Sequence, residues 1–243
     1  MRKTPFVDGE YYHVFNRGVE KRDIFDDDAD YRRFLLSMLF MNDPNPGLMV
    51  LWRDFRIAHP ASTVEDFLGT DQALLRSDFG TQGPTLGNVS LLGKPRTDSR
   101  KRIVDILAYC LNPNHFHFVL KQNEERGIER FMQRLGTGYT MYYNGKTDRT
   151  GALFQGRFKS SHIDSDEYLL HVLAYVDCNS EVHGIAPADQ YRWCSFRSWG
   201  EDSLKTETVS GRADILGRFK NMAEYHAFAK PAVEGMRERK GIF

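Results

Sequence analysis

The sequence predicts an α+β fold: an antiparallel sheet with helices on one face, an extra helix after the last strand, and C-terminal helices. Three observations predict it. Four segments rich in β-formers, near residues 11–15, 103–111, 115–121 and 152–163, alternate with stretches of helical spacing. Two of the four are joined by the turn Asn112-Pro113-Asn114 and read as a hairpin. The resulting order, β-α-insertion-β-β-α-β-α, is the split β-α-β, ferredoxin-like pattern with one helix added.

Each element has a local reason. Tyr11 to Phe15 is a strand that ends at the turn signal Asn16-Arg17-Gly18. Asp28 to Met41 carries Tyr31, Phe34, Leu35 and Met38 at helical spacing, with acidic residues at its start, where the helix dipole favours them. Asn42 to Gly47 breaks the chain. Residues 44–99 are rich in Gly, Pro, Ser and Thr, and read as an insertion on a surface loop with one helix near Thr63 to Leu75. A helix is expected over Ile128 to Asn144, a strand over Ala152 to Ile163, and a helix over Asp166 to Asn179 with Asp164, Ser165 and Asp166 offering cap chemistry. The expected organisation is a domain over 1–200, the insertion at 44–99, and a peripheral helical extension over 201–243.

Bulk properties exclude several classes. The 243 residues hold 33 Lys and Arg against 33 Asp and Glu, so no uniformly basic coat exists. The charge is uneven, however. Asp23 to Asp30 is acidic, whereas Arg100-Lys101-Arg102, Arg126, Arg130, Arg134, Arg149, Arg157 and Lys159 make the middle basic. No apolar run reaches a membrane span, and no signal peptide is expected from the first residues. Cys110, Cys178 and Cys194 are odd in number and widely spaced, which argues against a disulfide framework and fits a cytoplasmic protein.

Two patterns carry chemistry. Strand alternation places His115, His117, Val119 and Lys121 on one face and Phe116, Phe118 and Leu120 on a core face. Two imidazoles side by side suit one divalent metal, although a polar strand face is the simpler reading of the pair alone. On the helix after the last strand, Leu169, Val172, Leu173 and Val176 form an apolar stripe. Glu167, His171, Tyr175 and Asn179 recur every fourth residue beside it. Read alone, Tyr175 is a flank of the core. The two patterns reinforce each other only where helix and strand meet.

Five stretches resemble one family. Tyr109 to Leu120 (YCLNPNHFHFVL) is similar to the HUH signature of single-tyrosine transposases, the IS200-like family. Phe154 to Ser160 (FQGRFKS) resembles their last strand, and Ala174 to Asn179 (AYVDCN) their catalytic helix. Tyr12 to Gly18 (YHVFNRG) and Tyr191 to Phe196 (YRWCSF) resemble the REP-associated branch. The resemblance implies that Tyr175 is the nucleophile, that His115, His117 and Asn179 bind Mg²⁺ or Mn²⁺, and that the substrate is single-stranded DNA beside a hairpin. It implies a 5′-phosphotyrosine intermediate and a monomer or homodimer.

Asn16, Arg17, Arg126, Arg130, Arg134, Arg157 and Lys159 are the expected DNA contacts, with the three helical arginines as a stripe against a duplex stem. Tyr139, Tyr142 and Tyr143 lie on the preceding helix and read as packing residues. His13, His162 and His183 read as structural. Asn112 stands where the family has Met, Phe154 where it often has Trp, and Ser180 to Gly184 replaces Pro-Val-x-Ala-Gly. The alternative function is a DNA-hairpin-binding protein without chemistry. A histidine-triad nucleotide hydrolase needs a third alternating His, and position 119 is Val.

Overall fold

A computed structural model describes residues 5–45, 47–69, 101–197, 208–212, 215 and 217–240. Most of the insertion, 70–99, lies outside them, as do 201–207 of the C-terminal extension. Strand β1 spans Tyr11–Arg17 and helix α1 Asp28–Met41. Helices α2 and α3 span Leu48–Ala58 and Val64–Gly69. The hairpin follows as β2 (Val104–Asn112) and β3 (His115–Gln122). Then come α4 (Gly127–Thr147), β4 (Lys159–Ile163), α5 (Asp166–Asp177), the one-turn α6 (Asn179–Val182) and α7 (Met222–Lys240).

The described strands form one sheet in the order β2-β3-β1-β4, with antiparallel pairing at every step. That order is the split β-α-β arrangement expected from the element sequence. Strand alternation sends Val14, Phe116, Phe118 and Leu120 to one face, where they meet Phe34, Leu35 and Met38 of α1 and Phe131, Leu135 and Tyr139 of α4. The opposite face is apolar too over part of its length. Val119, Leu107, Ala108 and Ile163 pack there against Leu169, Val172, Leu173 and Val176 of α5. The sheet is thus helix-covered on both sides, and α5 lies on the side that carries the histidines.

Boundaries shift where packing overrides pattern. Expected as a strand from Ala152, β4 pairs only from Lys159; residues before it form a loop touching the core through Leu153 and a single bridge between Phe154 and Gly18. Gly18 is obligatory at that crossing, because a Cβ there would stand 2.2 Å from Arg22 O. Helix α5 starts as expected, with Ser165 Oγ accepting from Tyr168 N at 3.3 Å.

The described part of the insertion, up to residue 69, is helical and packed despite its composition. Leu48, Leu51, Trp52 and Phe55 of α2 and Phe67 and Leu68 of α3 enclose Leu39 and Phe40 on the outer side of α1. Its ends are pinned together. Asn42, at the end of α1, donates from Nδ2 to Val104 O at 2.9 Å and accepts from Val104 N at 3.0 Å. The excursion therefore leaves and returns at one point, so its length costs little closure entropy beyond that of a shorter loop.

The C-terminal part is not peripheral, contrary to its weak pattern. Tyr225, Ala229 and Val233 of α7 join the main core. The 191–196 segment and Ser210 seal the β2 edge: Leu111 N donates to Trp193 O at 2.9 Å, Tyr191 Oη to Leu111 O at 2.7 Å, and Ser210 N to Ile106 O at 2.8 Å. Trp193 stacks on Tyr31 of α1 with centroids 4.5 Å apart.

Replacing Asn42 by Ala orphans both buried backbone groups of Val104. The expected cost is about 2–3 kcal/mol of stability, checked by urea unfolding of Asn42→Ala beside the unsubstituted protein.

Candidate active site

The site forms where α5 crosses the histidine-bearing face of the sheet. Register aligns His117 of β3 with Phe15 of β1 and Val119 with His13. The three aromatic rings stack: His13 lies 5.0 Å from His117, and Phe15 lies 5.3 Å from it. Tyr175 stands edge-on to both imidazoles, 5.5 Å from His117 and 5.6 Å from His13. One turn further along, the buried Asn179 places Oδ1 3.3 Å from His115 Nε2. Helix and strand do meet, and they bring together the four residues that the two sequence patterns single out.

Neighbours set the imidazole tautomers. Asn114 Nδ2 donates to Lys21 O at 3.1 Å, which turns its Oδ1 toward His115 Nδ1 at 2.6 Å. Nδ1 is then the protonated nitrogen, and the lone pair of His115 sits on Nε2, facing the site. His117 Nδ1 lies 2.8 Å from His13 Nε2. Burial pushes the His13 imidazole down to about 4, so it is neutral near pH 7 and one of the pair donates to the other. With His117 as donor, its lone pair also sits on Nε2.

A third imidazole joins them. One donor nitrogen from each of His115, His117 and His183 lies within 4.8 Å of the others. Two histidines read as structural, His13 and His183, thus belong to the site. A signal for His183 was present: it extends the every-fourth-residue series of Tyr175 and Asn179 by one step. It was missed because the helix was expected to stop at Asn179, whereas α6 continues the turn to Val182. His162 stays outside, paired with Glu10 at 2.8 Å.

Asn112 intrudes on the candidate ligands. Its Nδ2 donates to Asn179 Oδ1 at 2.6 Å and to His115 Nε2 at 2.9 Å. Asn179 Nδ2 is buried without a partner.

The end of α5 is anchored by a buried cluster. The Asp177 carboxylate pairs with the Arg212 guanidinium, accepts from Tyr225 Oη at 2.7 Å and lies 2.5 Å from Ser195 Oγ. Asp177 sits between Tyr175 and Asn179 in sequence, so this cluster holds the backbone that carries both.

The other tyrosines are on the far side of the sheet. Tyr139 donates to Ile24 O at 2.6 Å, Tyr142 to Asp30 at 2.9 Å and Tyr143 to Asp26 at 3.0 Å. Burial and these carboxylates push Tyr143 up to about 12, and Tyr139 and Tyr142 upward as well. They are poor nucleophiles as placed.

Of the expected DNA contacts, Asn16, Arg126, Arg157 and Lys159 line one groove of about 1250 Å³ between α4, the 152–158 loop and β4. Lys159 stands opposite Phe15 in the register, and Phe15 stacks on His117, so the groove's rim adjoins the histidine face. Exposed Arg17 is held by Gln155 beside the same loop. The three-arginine stripe does not present three guanidiniums to a stem. Arg130 pairs with Glu124, Arg126 with Glu129, and Arg134 turns onto the end of α1, donating to Asp43 O at 2.7 Å.

Residues 95–179, which contain both strand histidines, Tyr175 and Asn179, match the family model described as "Transposase IS200 like". Over those residues the chain is similar to the IS200-like transposases. A solved structure described as the REP-associated tyrosine transposase bound to a REP hairpin is similar at 10% identity, with a TM-score of 0.46, covering 84% of this chain and 88% of that one. No role of any residue rests on that likeness. No curated protein matches the chain. Among the described residues, no helix is long and apolar enough to cross a membrane.

Asp177→Ala leaves a buried guanidinium without its carboxylate. It is expected to cost about 3–5 kcal/mol, read as a lower denaturation midpoint at an unchanged slope.

Proposed function

We propose that this domain is a metal-dependent endonuclease and strand transferase acting on single-stranded DNA beside a hairpin. The observation that carries the reading is the meeting of Tyr175 with His117 and of Asn179 with His115 within one chain. His115 and His117 would hold the ion through Nε2, with Asn179 Oδ1 as the carboxamide donor that the sequence motif implies. The donor set fits: an outer partner fixes the tautomer of His115, His117 leaves Nε2 as acceptor when it donates to His13, and the donors are uncharged. A divalent ion, Mg²⁺ or Mn²⁺, supplies positive charge to a non-bridging phosphate oxygen.

Tyr175 Oη attacks the phosphorus as its proton passes to solvent. The bond from phosphorus to the 3′-oxygen breaks, and that oxygen takes up a proton. The 5′-phosphate remains on Tyr175. Attack by a different 3′-hydroxyl reverses the step and joins new ends with no external energy source, because the phosphodiester is exchanged rather than hydrolysed. Packing of Tyr175 on the chain's own sheet supports assembly of each site within one subunit, whether the protein is a monomer or a homodimer. The groove bearing Asn16, Arg126, Arg157 and Lys159 is the candidate track for the strand entering the site. A cytoplasmic setting, where DNA is accessible and thiols stay reduced, suits three buried free cysteines.

The second reading, hairpin binding without chemistry, is favoured by Asn112, whose amide satisfies both His115 Nε2 and Asn179 Oδ1. The deciding experiment incubates labelled single-stranded DNA, carrying the inverted repeats beside the gene, with Mn²⁺ or Mg²⁺. The unsubstituted protein is expected to form a covalent protein–DNA adduct that requires metal and is lost in Tyr175→Phe. Binding with no cleavage under any metal establishes the second reading; an adduct that persists in Tyr175→Phe rules out this nucleophile. Separately, Arg157→Ala combined with Lys159→Ala should weaken DNA binding and flatten its log–log salt dependence by about 1–2, seen in titrations from low to moderate salt.

A further inference from the structure

We propose that His183 is a third imidazole ligand of the same metal, and that it makes the site selective for a borderline transition ion such as Co²⁺ or Zn²⁺ over Mg²⁺. The inference rests on the reading that His115 and His117 hold the ion, and it sets His183 beside the Asn179 carboxamide as a further donor.

Four observations carry it. The donor nitrogens of His115, His117 and His183 cluster within 4.8 Å, from three separate positions on β3 and the end of α6. The His115 and His183 rings are 4.6 Å apart, closer than His115 and His117 at 5.3 Å. The backbone of His183 is held at the end of α6, its N–H donating to Asn179 O at 3.1 Å, so its ring starts from a fixed root. The carboxamide oxygen of Asn179, by contrast, is engaged by Asn112 Nδ2 at 2.6 Å. An ion on His115 Nε2 must displace the Asn112 amide there in any case; taking Asn179 as well would cost the second Asn112 bond, which His183 as third donor leaves in place.

Geometry and chemistry agree. Metal–nitrogen bonds of about 2.0–2.1 Å put neighbouring donors of a tetrahedral site roughly 3.3 Å apart, so the rings must close up somewhat on the ion. His183 is only partly buried and follows a helix of one turn, which allows that adjustment. Imidazole nitrogen suits Zn²⁺, Co²⁺, Ni²⁺ and Cu²⁺, while Mg²⁺ prefers oxygen and keeps its water. Three neutral imidazoles also leave the ion's full charge available.

The test is metal binding without DNA. Metal-free protein is titrated with Co²⁺, followed by its visible absorption and by calorimetry, and separately with Mg²⁺. Unsubstituted protein should bind Co²⁺ far more tightly than Mg²⁺. His183→Ala and His183→Gln should each weaken Co²⁺ binding by at least about tenfold, the loss that removal of even an outer partner causes, and should alter the absorption band. Mg²⁺ binding should be unchanged. Circular dichroism confirms folding of both variants. Equal Co²⁺ affinity and spectra in the His183 variants, with loss of binding in His117→Ala, overturn this inference and leave the two-histidine reading standing. Absence of binding by any ion to the unsubstituted protein overturns both.

Discussion

Everything at the site depends on how α5 lies across the sheet. Its apolar stripe, Leu169, Val172, Leu173 and Val176, covers Leu107, Ala108 and Val119 on the side away from α1 and α4. Burial of that stripe fixes the helix's rotation about its axis, and rotation decides where the neighbouring stripe points. Tyr175 and Asn179 belong to that second stripe and reach His117 and His115. The buried Asp177–Arg212 pair, with Tyr225 and Ser195 around it, locks the end of the helix against sliding. The C-terminal helix thereby acts on the site indirectly, through the residue between the two that matter.

The histidines are organised by polar neighbours rather than by the sheet alone. Pleating puts His115 and His117 on one face, but it does not choose their tautomers. Asn114 does so for His115, whereas His13 couples the tautomer of His117 to its own. An imidazole whose outer nitrogen is committed to a partner offers a defined lone pair inward. Asn112 is the discordant member, since it donates into the space between the two candidate ligand groups. Its presence explains why Asn179 is less available than the motif suggests, and why His183 gains weight.

Charge is partitioned in the same way. A chain with no net charge still carries a local cationic rim, because many arginines are spent on structure. Arg134 caps α1, Arg212 neutralises Asp177, and Arg130 pairs with Glu124. Arg157 and Lys159 remain exposed along the groove beside β4. Sequence alone cannot make this distinction, because an arginine bound for a helix end looks the same as one bound for a phosphate.

The sequence by itself determined the order and type of the main elements. Periodicity and turn residues are local properties, so Asp28–Met41, the 104–122 hairpin and the start of α5 were legible to within a residue or two. It also placed His115 beside His117 and Tyr175 beside Asn179, because strand alternation and the every-fourth-residue series act within single elements; their roles came from the family resemblance alone. The tertiary structure decided the rest. Helix α2 was hidden in a Gly- and Pro-rich stretch because its stability comes from packing on α1. The tail beyond 208 was underrated because its partners, the β2 edge and Asp177, are distant in sequence. His13 was invisible as a site residue for the same reason: it acts through His117 on another strand, and only folding brings the two within bonding distance.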